Sequence, residues 1–321
     1  MRAVSLHGVT VAWDARDLPS DPLAWLGVFP PGTGAPDLTI RLARRASSAP
    51  PRRGAPWFFH GVLQASREPG VTLLDDGSSR AEVRATDVLV ELALVDAELG
   101  AFASGLVGAA VLLALREHEL FDLHAAAVVD AAGRGLLVAG DSGAGKTTTT
   151  LALLEAGAAY VGDDRVLLRG DDAEVEVLGW PREFHLGAAT LRAFPRLGAV
   201  AGETYGAGDK VTLDPRIAFP QQFLTALPSV DVLVFPSIDA SRVTTTATPI
   251  DRASAFGELL VAGAIALLDG MTGGEAQLAL LRRLADDGVA LALAIGRDAL
   301  ADPSVIPRAI AEGYAFAGAR R

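Results

Sequence analysis

The chain has 321 residues, half of them hydrophobic, and a formal net charge of −11. That length suits one large domain or two of ordinary size. The acidity argues against a general binder of nucleic acid or of anionic membrane. The absence of cysteine excludes disulfides, thiolate metal sites and a cysteine nucleophile.

Residues 1–13 alternate loosely and predict a strand, with no basic-then-apolar secretion layout at the N-terminus. Asp17–Pro36 reads as loop, Asp37–Ala43 as strand, and Ala46–Pro56 as a breaker-rich turn. Trp57–Ala65 and Val71–Leu74 predict strands. Asp75-Asp76-Gly77-Ser78 is a hairpin signal. Arg80–Leu94 supplies one or two strands more. Residues 1–97 therefore read as a β-rich module without a catalytic constellation, its aromatics assigned to core.

The pattern changes near Glu98, where residues 98–321 are expected to form a second domain. A helix is predicted to about His118. Its Leu99–Leu115 stretch carries no charge but reads as a buried helix rather than a membrane span. Leu123–Val129 predicts a strand with His124 near its start, and Gly135–Ala139 a buried strand. Gly140-Asp141-Ser142-Gly143-Ala144-Gly145-Lys146-Thr147 then matches G-x-x-x-x-G-K-T, and Thr147–Ala156 has a helical pattern.

Strand, glycine loop and helix in that order are the context of a phosphate-binding loop. Glycines let successive backbone N–H groups converge on an anion, and the helix adds its positive end. Lys146 supplies a charge for the β- and γ-phosphates, Thr147 a hydroxyl for Mg²⁺, and Thr148 completes the candidate nucleotide contacts.

Ala158–Asp164 predicts another buried strand, ending in Asp163 and Asp164. If that strand is regular, the two carboxylates face opposite ways. One is then free to serve a metal and the other to take a proton. Arg165–Leu168 and Glu174–Leu178 are expected to pair antiparallel. Lys210 follows the glycine-rich Gly198–Gly208 stretch and reads as a solvated lysine in preference to a phosphate ligand. Val230–Phe235, an edge strand Thr244–Thr248, and Val289–Ile295 are predicted strands. Ala253–Leu268, Gly274–Asp287 and Pro303–Gly313 are predicted helices. The fold class expected is α/β around a central sheet.

The run from His124 through Gly140–Thr147 and Leu153-Leu154-Glu155-Ala156-Gly157 to Val161-Gly162-Asp163-Asp164 resembles the kinase domain of HPr kinase/phosphorylase. It resembles still more the shorter related serine kinases, some of them from lasso-peptide clusters. The likeness is tight over 121–168, looser over the rest of 100–321 and absent from 1–95. It implies a P-loop kinase core of the phosphoenolpyruvate carboxykinase-like type. It also implies His124 as an active-site histidine, Asp164 as the base toward an acceptor serine, Asp163 beside the metal, and Thr147 in place of a metal-binding serine.

Lys146-Thr147-Thr148 stands where HPr kinases carry Lys-Ser-Glu. Their second signature is missing, Arg182-Glu183 being its nearest counterpart. The acceptor expected is therefore a hydroxyl of another protein, a peptide or a small metabolite, phosphorylated from ATP with Mg²⁺ in the cytoplasm, without nucleic-acid or membrane partners. A P-loop ATPase and a non-catalytic nucleotide sensor are the alternatives. Nucleotide preference, any contribution of Lys210 or Glu183, and homo-oligomer formation stay open.

Overall fold

The computed structural model describes residues 1–45, 56–60, 63–93, 101–170, 174–180, 182–200, 202, 204–205, 210–227, 229–264 and 270–319. Most of the expected 46–56 turn, part of the 198–208 stretch and the end of the helix expected to reach 268 lie outside them.

Alternating side chains build the first sheet. In β3 (Leu38–Arg44) Leu38, Ile40 and Leu42 are buried. In β8 (Asp87–Leu92) Val88, Val90 and Leu92 match them, as period-2 patterning requires. The other strands are β1 (Arg2–Leu6), β2 (Val9–Asp14), β4 (Pro56–His60), β5 (Leu63–Glu68), β6 (Val71–Asp75) and β7 (Arg80–Val83), in the order β1-β2-β3-β8-β7-β6-β5-β4.

The single strand expected over 1–13 is instead a hairpin. His7 and Gly8 both take positive φ, 49° and 92°, the backbone that a two-residue hairpin turn needs. Residues 57–65 likewise divide between β4 and β5, whereas Asp75–Ser78 turns β6 into β7 as the sequence predicts.

Helix α1 (Ala101–Leu115) packs along β6, β7 and β8. The chain divides into two compact units between Leu120 and Phe121, so the helix expected to open the second domain belongs to the first. Among the described residues no helix is long and apolar enough to cross a membrane.

Among the described residues the second unit is mixed α/β with three sheets. Its main sheet contains β10 (Ala125–Val129), β11 (Gly135–Ala139), β12 (Ala159–Gly162), β18 (Val232–Ile238), β19 (Thr246–Pro249) and β20 (Val289–Ile295), ordered β12-β10-β11-β18-β20-β19. β11, β18 and β20 run parallel. β19 is an antiparallel edge. A second sheet pairs β9 (Phe121–Leu123), β13 (Val166–Gly170) and β14 (Val175–Gly179). A third holds β15 (Phe184–Leu186), β16 (Thr204–Tyr205) and β17 (Lys210–Leu213).

Alternation along β11 explains the layering. Leu136 and Val138 join one apolar cluster with Leu151 and Leu154 of α2 (Lys146–Glu155) and with Ile306 and Ile310 of α8 (Val305–Gly318). Leu137 and Ala139 join the opposite cluster with Leu259 of α5 (Arg252–Ala262) and Leu280, Leu281 and Leu284 of α6 (Gly274–Asp287). Helices thus cover both faces of the main sheet. The short helices α3 (Ala188–Ala193), α4 (Pro215–Ala218) and α7 (Asp298–Ala301) complete the unit.

Candidate functional site

The site begins where β11 stops. Its five residues are all buried, which fixes the strand so that residues 140–145 turn back over the carboxyl edge of the sheet into α2. Gly140, Gly143 and Gly145 have φ of 155°, 83° and 110°. Asp141, Ser142 and Gly143 are exposed, while Ala144, Gly145, Thr147 and Thr148 are half-buried. The Ala144 amide donates to the Asp141 carbonyl at 3.2 Å.

Gly145 is required twice over. Its φ strains any L side chain, and a Cβ there would stand 2.8 Å from Ile295 Cδ1 and 3.3 Å from Ile238 Cγ1. Gly145→Ala should therefore cost about 1–3 kcal/mol of stability, from the strained conformation alone. Denaturant titration reads that loss, and an unchanged midpoint would contradict it.

Lys146 opens α2 and is only 6% exposed. Its ammonium donates to the carbonyls of Gly140 at 2.7 Å and Asp141 at 3.0 Å, and lies 2.8 Å from Nε2 of His124. All three donors are thereby used. Burial lowers the Lys146 pKa, against the pull of Asp164, Asp163 and Asp141.

The contact with Lys146 also settles the histidine tautomer. Nε2 faces a donor and must accept, so Nδ1 carries the proton and donates to the Asp164 carbonyl at 2.7 Å. His124 is thus neutral. Burial lowers its pKa, Lys146 lowers it further, and Asp164 opposes both. The strand expected over 123–129 breaks here, since β9 and β10 belong to different sheets and His124 is the residue between them. Its amide donates to the Ala262 carbonyl at 3.1 Å, and its ring turns toward the glycine loop.

Asp163 and Asp164 lie just past β12, which ends at Gly162. Their separation does not come from strand alternation, as the sequence predicts. It comes from the turn, in which Asp164 adopts φ 63°, a left-handed conformation that aspartate tolerates better than most residues. Asp163 is buried at 3% exposure and accepts from the Thr147 hydroxyl at 2.9 Å through Oδ2. Burial, then the charge of Asp164, push its pKa up to about 7. The Asp164 side chain is 56% exposed, with Oδ1 3.4 Å from Nδ1 of His124.

A divalent cation fits this donor set. Asp163 Oδ1 is buried and has no hydrogen-bond partner among the described residues, which is costly unless something else satisfies it. Thr147 Oγ1 sits beside the same carboxylate. A hydroxyl and a carboxylate suit Mg²⁺, whose remaining ligands are ordinarily waters and phosphate oxygens.

Two residues left open by the sequence are exposed. Lys210 is exposed at the start of β17, and Glu183 is exposed just before β15. Sequence reasoning missed His185, on β15. Burial lowers its pKa, with Arg182 and Lys210 acting in the same direction and Asp164 against them. The third sheet therefore carries a histidine within electrostatic reach of Asp164. Nothing in the local pattern of residues 182–213 signals this, because Asp164 lies outside that segment.

No family model matches the chain. No curated protein matches it either. Among solved structures it is similar to the HPr(Ser) kinase/phosphatase from Coxiella burnetii, with 15% identity, 40% of this chain and 72% of that chain covered, and a TM-score of 0.26. A likeness at that score carries no argument about activity.

Proposed function

We propose that the protein is an ATP-dependent kinase that transfers the γ-phosphoryl group to a hydroxyl, with serine in a peptide, a protein or a small metabolite as the acceptor. The observation that carries this reading is the meeting of two loops at one rim of the main sheet. Thr147, in the first turn of α2 behind the glycine loop, bonds to Asp163, and Lys146 reaches Asp164 through His124.

Phosphoryl transfer asks for positioning and charge neutralisation more than for covalent chemistry. Lys146 can exchange one of its present acceptors for a phosphate oxygen, while the loop amides and the start of α2 face the triphosphate. Thr147 and Asp163 would hold Mg²⁺, which supplies positive charge against the phosphate oxygens when bound. Asp164, the exposed carboxylate, takes the proton of the acceptor hydroxyl. The hydroxyl oxygen bonds to the γ-phosphorus as the bond to the β-phosphate oxygen breaks, and ADP leaves. His124, held neutral with Nδ1–H on the Asp164 backbone, keeps that turn in place.

The direct test offers γ-labelled ATP with Mg²⁺ to serine-containing peptides and to free serine. Label on the acceptor is the expected result. Phosphate released with no label on any acceptor would replace the kinase with a hydrolase. Lys146→Ala removes one charge-assisted contact to phosphate. It should weaken ATP binding about 10–100-fold by calorimetry, and unchanged affinity would remove Lys146 from the site.

A further inference from the structure

We infer that the exposed face of Ile238 receives the base of the bound nucleotide, an inference that rests on the nucleotide-binding reading above. The geometry is one of opposite flanks. In the main sheet the glycine loop follows β11, while Asp163 and Asp164 follow β12 and His124 precedes β10. The acid groups therefore lie on the β10–β12 flank of the loop. A γ-phosphoryl group aimed at Asp164 points that way, so the nucleoside must leave on the other flank, where β18 and β20 end.

That flank presents an apolar surface. Ile238, the last residue of β18, pairs with Ile295 of β20, and both side chains lie against Gly145 of the loop. Ile295 is buried, yet Ile238 is 59% and Val243 63% exposed. The segment that carries them is tightly fixed. The Asp239 amide donates to the Ile295 carbonyl at 3.0 Å, and the carbonyls of Arg242 and Val243 accept from the amides of Arg297 and Asp298. Thr245 Oγ1 donates to Asp298 at 2.6 Å and accepts from the Gly296 amide at 3.0 Å.

Asp239, Ser241 and Arg242, which follow Ile238, are engaged with one another. Asp239 accepts from the amide and hydroxyl of Ser241 and lies 3.3 Å from Arg242. What remains for a ligand is a preformed apolar shelf beside a phosphate cradle. Such a shelf suits a flat ring that needs apolar cover on one face and keeps its polar edge in water.

Isothermal titration of wild type and Ile238→Ser with ATP and with inorganic tripolyphosphate tests this. The side chain is exposed enough for the fold to survive the change. We expect the ATP dissociation constant to rise about tenfold, one decade of affinity, with tripolyphosphate binding unchanged and Ile238→Leu close to wild type. Undiminished ATP affinity in Ile238→Ser overturns the base site while leaving nucleotide binding intact. An equal loss for both ligands also overturns it, since Ile238 would then only support the loop. A wild type that binds neither ligand overturns the nucleotide reading underneath.

Discussion

Asp164→Asn should lower phosphoryl transfer about 10²–10⁴-fold, the usual contribution of a positioned general base, and leave ATP affinity within a factor of about two. The asymmetry follows from position. Asp164 is exposed and, among the described residues, its hydrogen-bond and ion-pair contacts are with His124, whereas in the proposed reading the loop, Lys146 and Thr147 carry the phosphate contacts. The amide keeps the size of the side chain, and the backbone carbonyl that accepts from His124 is untouched. Single-turnover transfer and equilibrium nucleotide binding, measured on the same preparation, separate the two effects. Full transfer activity in Asp164→Asn would take the base role away from it. Loss of ATP binding in step with transfer would show that the turn supports the loop instead.

The second large effect concerns stability and pH. The folded protein holds a proton on Asp163 up to about pH 7, whereas an aspartate in water ordinarily releases it near 3.8. Between those limits the native state binds a proton that the unfolded chain has released. Stability from this group is therefore fully present below about pH 4 and is lost as pH rises through about 7. The full difference is on the order of 4 kcal/mol. Removing the ionisable group in Asp163→Asn keeps an acceptor for Thr147 and abolishes the titration.

In EDTA the variant should be comparable to wild type near pH 4 and more stable by a few kcal/mol near pH 8. The lowered pKa values of His124 and His185 act in the opposite direction, gaining stability as pH rises toward 6.5. The difference between variant and wild type is thus the informative quantity. Urea titrations at the two pH values measure it, and a difference that does not change with pH would refute the assignment. Added Mg²⁺ should then stabilise wild type more than Asp163→Asn, because the ionised carboxylate is the form a cation selects.

Much of the second unit is legible along the chain, because its elements are written in short-range patterns. Gly135–Ala139, the glycine loop and the helix behind it are contiguous, and their chemistry needs only spacing and backbone freedom. The strands of β18 and β20 and the helices α5, α6 and α8 also show their periods locally. The hairpin at His7-Gly8 does not, because neither residue announces the left-handed turn that Asn-Gly would. Nor does the placement of α1, whose uniformly apolar sequence is compatible with burial on any sheet.

Residue order alone determines that a glycine loop precedes a helix with Lys146 and Thr147 in its first turn, and that two carboxylates follow the next apolar strand. It does not determine which carboxylate does what. That depends on the turn after Gly162, which buries Asp163 against Thr147 and leaves Asp164 in water. Nor does it show that His124 separates two sheets and spans Lys146 and Asp164, that His185 lies within electrostatic reach of Asp164, or that Ile238 stands against Gly145. Each of these brings together residues 20 to more than 90 positions apart. Such contacts arise only when sheet order and register bring separate strand ends to one edge, and neither is encoded in the pattern of any single segment.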